Sequence, residues 1–178
     1  MPRVRPGPRN VRVIVVRHGP AELRDPIQWP DDDRRPLTSK GRRQTARAAR
    51  GIARLAKPVR KIATSAADRA LATAEIVRHL SGGKADMETW EELASGRLAA
   101  PIFDRLRHSI RTGQDILLVG HEPTLAEFIG LSLSGDGQPL VRFAKGGAAC
   151  IEFPAAITPG AGRLVWLLTR KQLSRVQH

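Results

Sequence analysis

Four consecutive β-branched residues, Val13-Ile14-Val15-Val16, run straight into Arg17-His18-Gly19. An apolar run without alternation reads as a strand buried on both faces, and such strands belong in a sheet covered by helices on each side. In open α/β sheets ligands bind just beyond the carboxyl ends of the strands. The strand therefore delivers a cation, an imidazole and a flexible glycine to the edge where such folds place their chemistry.

The rest of the chain alternates strand and helix as that sheet requires. A helix is predicted over 40–57, with Thr45, Ala48, Ile52 and Leu55 inward and Arg43, Arg47, Arg50, Arg54 and Lys57 outward. Strands are predicted over 59–64 and 85–89. Between them lies a helix reaching Leu80 that opens on the capping pattern Ser65-x-x-Asp68. A helix over 102–110 precedes a second buried strand, 115–120, which presents His121 as the first presents His18. Glu122-Pro123-Thr124 opens another helix, with proline at a favoured first position. Strands over 148–153 and 163–168, joined by a Pro/Gly turn, read as an antiparallel addition at one edge. The expected fold class is α/β: a three-layer α/β/α sandwich with a mostly parallel central sheet, helices on both faces and an antiparallel edge strand. One domain is expected over 11–170, with a flexible basic arm over 1–10 and a C-terminal tail over 171–178.

Composition narrows the function classes. A formal net charge of +13 on 178 residues suits a nucleic acid, an anionic membrane surface or a phosphorylated substrate, without choosing among them. No apolar run approaches a membrane span, and the Pro/Arg-rich first nine residues lack the apolar core of a secretory signal. The single cysteine, Cys150, lies in an apolar run and reads as a buried, inert thiol of a cytoplasmic protein. Asp31-Asp32-Asp33 lacks the spaced partners of a metal site and reads as solvated carboxylates. The Arg-rich helix face reads as solvated surface. No aromatic residue interleaves it, so nucleic acid is not the expected partner. The five histidines show no metal-ligand spacing, and no metal or other cofactor is expected.

Three strand-to-helix transitions carry polar residues: Arg17 with His18, Ser65 with Arg69, and His121. In a parallel sheet they share one edge, so two arginines, two histidines and helix N-termini converge there. Unpaired N–H groups and arginine forks favour an anion, and a phosphoryl group is the natural guest. Each piece alone has a plainer reading. A histidine near a strand end is often a structural hydrogen-bonder, and Arg69 has Asp68 and Glu75 near it in sequence for a surface salt bridge.

The chain resembles the histidine phosphatase superfamily, with its phosphoglycerate mutase-like fold, and within it the short SixA-type phosphohistidine phosphatases. Four segments carry the resemblance in the family's order: Val16-Arg17-His18-Gly19, Pro36-Leu37-Thr38 with Gly41, Thr64-Ser65-Ala66-Ala67-Asp68-Arg69-Ala70 with Thr73-Ala74, and Val119-Gly120-His121-Glu122-Pro123. Ala66 stands where the family usually has proline, and Thr73 is displaced by one residue from the commonest spacing. The resemblance implies that His18 is the nucleophile and that Arg17, Arg69 and His121 hold the phosphoryl oxygens. Trp90-Glu91-Glu92-Leu93-Ala94-Ser95-Gly96 is similar to the family's acid segment, which makes Glu92 the candidate proton donor. The implied activity is metal-independent hydrolysis through a phosphohistidine intermediate. Its substrate would be a phosphorylated molecule, such as a phosphohistidine-bearing protein, because the short chain leaves little room for a lid. A phosphatase of small phosphomonoesters and a non-catalytic protein binding through the Arg43–Lys57 face are the alternatives.

Overall fold

The computed structural model describes residues 10–56, 58–110, 114–138, 140–154 and 156–176. The arm expected over 1–10 therefore lies outside the described residues except for Asn10, as do Lys57 and the last two residues of the tail.

Six strands form one sheet: β1 (Val11–Arg17), β2 (Lys61–Thr64), β3 (Asp86–Thr89), β4 (Ile116–Gly120), β5 (Ala148–Phe153) and β6 (Arg163–Leu168). Their order is β3-β2-β4-β1-β5-β6. The pairs β2–β3, β2–β4 and β1–β4 are parallel, whereas β5 pairs antiparallel with both β1 and β6. The reversed strand is thus β5, one place in from the edge. The helices are α1 (Ser39–Leu55), α2 (Asp68–Leu80), α3 (Ala100–Ser109), α4 (Thr124–Ser134) and the short α5 (Arg170–Leu173).

The parity of β1 explains the three layers. Val13 and Val15 point to one face, where they join Ile102, Phe103 and Leu106 of α3 and Leu125, Phe128 and Ile129 of α4. Ile14 and Val16 point to the other, against Ala48, Ala49 and Ile52 of α1 and Ala70, Ala74 and Val77 of α2. Successive strand side chains alternate faces, so only an unbroken apolar run can serve two cores. The expected α/β/α sandwich is the fold found.

Local chemistry sets the helix ends. Thr38 caps α1 by accepting the Gly41 N–H at 2.7 Å, and Gly135, with φ 86°, closes α4 in the left-handed conformation that glycine tolerates. Three sequence expectations change. Leu55 is exposed, at the last residue of α1. Pro123 precedes the first turn of α4, which begins at Thr124. Ser65 does not cap α2: Ala67 holds the cap position without a side-chain bond, and Ser65 is engaged elsewhere.

Helix α5 opens with a capping box between Thr169 and Gln172, and Leu173 is buried in the core of α1 and α2. A Cβ on Gly51 would stand 2.1 Å from the Leu173 carbonyl oxygen, so the two backbones meet where only glycine fits. Leu173→Ala is expected to lower stability by about 2–5 kcal/mol in denaturant titrations. An unchanged midpoint would show that this segment contributes nothing to the core.

Candidate active site

Backbone hydrogen bonds gather the candidate residues at the carboxyl edge of the sheet. Arg17 lies level with Gly120, and Thr64 with Val119. One residue further on, the His18 N–H donates to the Gly120 carbonyl at 3.1 Å and the Ser65 N–H to the Val119 carbonyl at 3.0 Å. His18, Ser65 and His121 therefore leave three adjacent parallel strands at one level. From the other side, the Gly146 N–H donates to the carbonyls of both Arg17 and His18, and the Arg17 N–H to Gly147. Gly146 has φ 70°, which makes this turn costly for any other residue.

His18 is 5% exposed, and its ring centroid lies 5.0 Å from that of His121, itself 2% exposed. His18 Nδ1 stands 2.7 Å from the Gly19 carbonyl. A carbonyl only accepts, so Nδ1 carries the proton and Nε2 keeps its lone pair. Burial, followed by repulsion from His121, Arg69 and Arg17, lowers the His18 pKa to about 3. Burial and the same two arginines lower that of His121 to about 4. Both rings are neutral at pH 7.

Gly19 is held against α2. Its N–H donates to Thr73 Oγ1 at 3.0 Å, and the Thr73 hydroxyl donates to the Arg69 carbonyl at 2.7 Å. A Cβ on Gly19 would lie 2.0 Å from Thr45 Oγ1, so glycine is required for the strand to pass.

The two arginines are anchored alike. Arg17 Nη1 donates to the Phe143 carbonyl at 2.6 Å, and Arg69 Nη1 to the Asp32 carbonyl at 2.5 Å. In each, Nε is buried without a partner. Buried donors are normally satisfied, and the chemistry of two unpartnered guanidinium N–H groups beside neutral imidazoles suits an anion. Burial lowers the pKa of both arginines, although they remain charged.

Arg17, His18, Arg69 and His121 are thus brought together, while Glu92 makes no hydrogen bond or ion pair with any of them. It sits in a 3₁₀ turn, Glu91–Leu93, and lines a cavity of about 350 Å³ with Glu91, Gly96, Arg97, Leu98 and Pro101, none of them from the cluster. That turn still packs on the end of β4. The Leu93 carbonyl lies 3.1 Å from where a Gly120 Cβ would stand, and the Thr124 hydroxyl donates to the Arg97 carbonyl at 2.7 Å.

Two readings are corrected. Asp32 is not merely solvated: its carboxylate pairs with Arg35 at 2.9 Å and with Arg69 at 3.1 Å. Arg69, only 2% exposed, pairs with Asp32 and more distantly Asp33, not with Asp68 or Glu75. The chain folds its proline-rich loop back over the start of α2, which local sequence spacing does not reveal. Ser65 is the further residue found here, with its Oγ 2.9 Å from His121 Nε2. Lys145 is exposed at the surface, and partial desolvation followed by repulsion from Arg17, Arg35 and Arg69 lowers its pKa. Its only sequence signal was the glycine pair that follows. Cys150 is buried, and burial pushes its thiol up to about 11. Among the described residues, no group of three or more His, Cys, Asp or Glu is placed to hold a metal ion. Nor is any helix long and apolar enough to cross a membrane.

The six-stranded sheet of order β3-β2-β4-β1-β5-β6 between two helical layers, with His18 and His121 at the ends of adjacent parallel strands, has a phosphoglycerate mutase-like architecture. Residues 13–98, just under half of the chain, match the sequence model of the histidine phosphatase superfamily (branch 1), the family that the sequence resembles. No curated protein sequence matches it significantly. Among solved structures, the protein histidine phosphatase SixA complexed with tungstate is similar in fold, with a TM-score of 0.75 at 20% identity over 91% of this chain and 99% of that one. A candidate phosphohistidine phosphatase SixA from Agrobacterium tumefaciens gives 0.72 at 21% identity, over 89% and 97%. A phosphoserine phosphatase from Entamoeba histolytica in complex with phosphoserine gives 0.63 at 16% identity, over 92% and 99%.

The lowered histidine pKa values make stability depend on pH. Between about pH 6.5 and 4 the unfolded chain protonates both imidazoles while the native state does not, so stability falls as pH falls. Each ring contributes a slope of up to about 1.4 kcal/mol per pH unit. Denaturant titrations at pH 7 and 5 should show a steeper loss for the wild type than for a His18→Asn, His121→Asn variant. Parallel losses would mean that the rings titrate normally.

Proposed function

We propose that the protein is a phosphatase that works through a phosphorylated His18, with protein-bound phosphohistidine as the substrate class. The observation that carries this reading is the His18 Nδ1–H···Gly19 bond, which leaves Nε2 unprotonated in a site built for an anion. Nε2 attacks phosphorus in line, its lone pair forms the N–P bond, and the bond to the leaving group breaks with its electrons. Water then attacks the phosphorus of the phosphorylated His18, an O–P bond forms, the N–P electrons return to Nε2, and inorganic phosphate departs with the water's protons.

The charge that builds on the equatorial oxygens is met by the free Nε–H groups of Arg17 and Arg69. His121 helps as a neutral donor. With the Ser65 hydroxyl donating to Nε2, the proton resides on Nδ1, the nitrogen left for a phosphoryl oxygen. Two guanidinium groups supply the cationic charge, so activity is expected to survive a chelator. The buried single cysteine fits a reducing, cytoplasmic setting.

Glu92 is the proposed proton donor to the leaving group. An alkoxide needs that proton, whereas the imidazole of phosphohistidine leaves neutral once its second nitrogen is protonated. Glu92→Gln should therefore slow phosphomonoester hydrolysis by about 10²-fold and phosphohistidine hydrolysis far less. The direct test is a panel of a phosphohistidine protein and small phosphoesters, run with wild type and His18→Ala. Loss of all turnover in His18→Ala is expected. A fully active His18→Ala, or turnover abolished by a chelator, would end this reading. Turnover of small esters alone would favour a phosphomonoesterase.

A further inference from the structure

The acidic run 31–33 has no part in the chemistry above, yet Asp32 makes more bonds to the cationic cluster than any other carboxylate among the described residues. Its turn, Asp32–Arg34, is fixed by the Asp31 carboxylate, which accepts the Asp33 N–H at 3.0 Å. From there Asp32 grips Arg69 twice. The backbone carbonyl accepts from Nη1 at 2.5 Å, and the carboxylate Oδ2 forms an ion pair with Nη2 at 3.1 Å.

Asp32 is itself held. Arg35 Nε donates to Oδ1 at 2.9 Å and Arg35 Nη2 to Oδ2 at 3.1 Å, while Arg35 Nη1 reaches the Glu22 carbonyl at 2.8 Å. Arg24 stands 3.9 Å away, and Arg34 pairs with Asp68 on the first turn of α2 at 3.6 Å. Arg35 is buried, so this fork is a well-ordered, bidentate pair rather than a loose surface contact.

A guanidinium group is flat and offers two usable edges: an end, made by Nη1 and Nη2, and a side that includes Nε. Asp32 occupies the end of Arg69, and the unpartnered donor is Nε, on the side. Asp32 and an incoming phosphoryl oxygen therefore use different N–H groups and do not compete. We propose that Asp32 is a positioning residue, which clamps the end of Arg69 so that its side edge is ordered for the phosphoryl group before substrate arrives. The inference rests on reading the site as a phosphoryl pocket.

The opposing effect is repulsion between Asp32 and a bound phosphate. Asp32 is about one-third exposed and its charge faces two further arginines, so screening weakens that repulsion. Release of Arg69 is the larger effect, because its partner carbonyl alone cannot fix the plane of the guanidinium group.

The test is calorimetric binding of inorganic phosphate to wild type, Asp32→Asn, Asp32→Glu, Arg69→Ala and the Asp32→Asn, Arg69→Ala pair, with thermal denaturation to check folding. Asp32→Asn should weaken phosphate binding by about tenfold, equivalent to about 1.4 kcal/mol, and Asp32→Glu should recover part of the loss. In the Arg69→Ala background the Asp32→Asn change should be silent, because Asp32 acts only through Arg69. The NMR signal of Arg69 Nε–H gives a second readout: one ordered resonance in the wild type, averaged with solvent-exposed arginines in Asp32→Asn. Equal or tighter phosphate binding by Asp32→Asn, or an undiminished loss in the Arg69→Ala background, would overturn the inference. If the wild type bound no phosphate, the reading of the site itself would fail first.

Discussion

Buried positive charge is the constraint around which the molecule is arranged. Arg17 and Arg69 bring two guanidinium groups to one sheet edge beside two imidazoles, and burial disfavours charge on all four. The arginines cannot discharge, so the histidines give way and stay neutral. The neutrality of His18, on which its proposed role as nucleophile rests, is thus produced mainly by burial. The arginine repulsion expected from the sequence alone is the smaller contribution.

The same constraint explains the surrounding architecture. Each guanidinium group is tied through Nη1 to a backbone carbonyl, which fixes its place without neutralising it. Asp32 provides the closest carboxylate to Arg69 among the described residues, on its far edge and shared with Arg35. The glycines stand where backbone must pass close to this cluster. Gly19 slides past Thr45, and Gly146 turns back to bond the carbonyls of Arg17 and His18.

How much of this was legible in the sequence follows from the range of each interaction. The buried runs ending at Arg17 and Gly120 showed the sheet and the edge, because side-chain parity and strand polarity are local properties. The convergence of Arg17, His18, Arg69 and His121 followed from parallel topology. The role of Asp32 did not, since its bond to Arg69 spans 37 positions and depends on how a proline-rich loop folds back. Ser65 was misread for a related reason. Its spacing to Asp68 suits a helix cap, but a tertiary partner, His121, takes its hydroxyl instead. Lys145 could not be placed from sequence because it lies in an irregular turn before β5.

The most direct test of the central claim is to quench the enzyme during turnover and locate the phosphoryl group. The account predicts an acid-labile, base-stable adduct on His18, bonded through Nε2 as two-dimensional NMR of the phosphorylated ring can distinguish, because Nδ1 is committed to Gly19. Phosphate on Nδ1 of His18, on another residue, or steady turnover with no covalent adduct would contradict it.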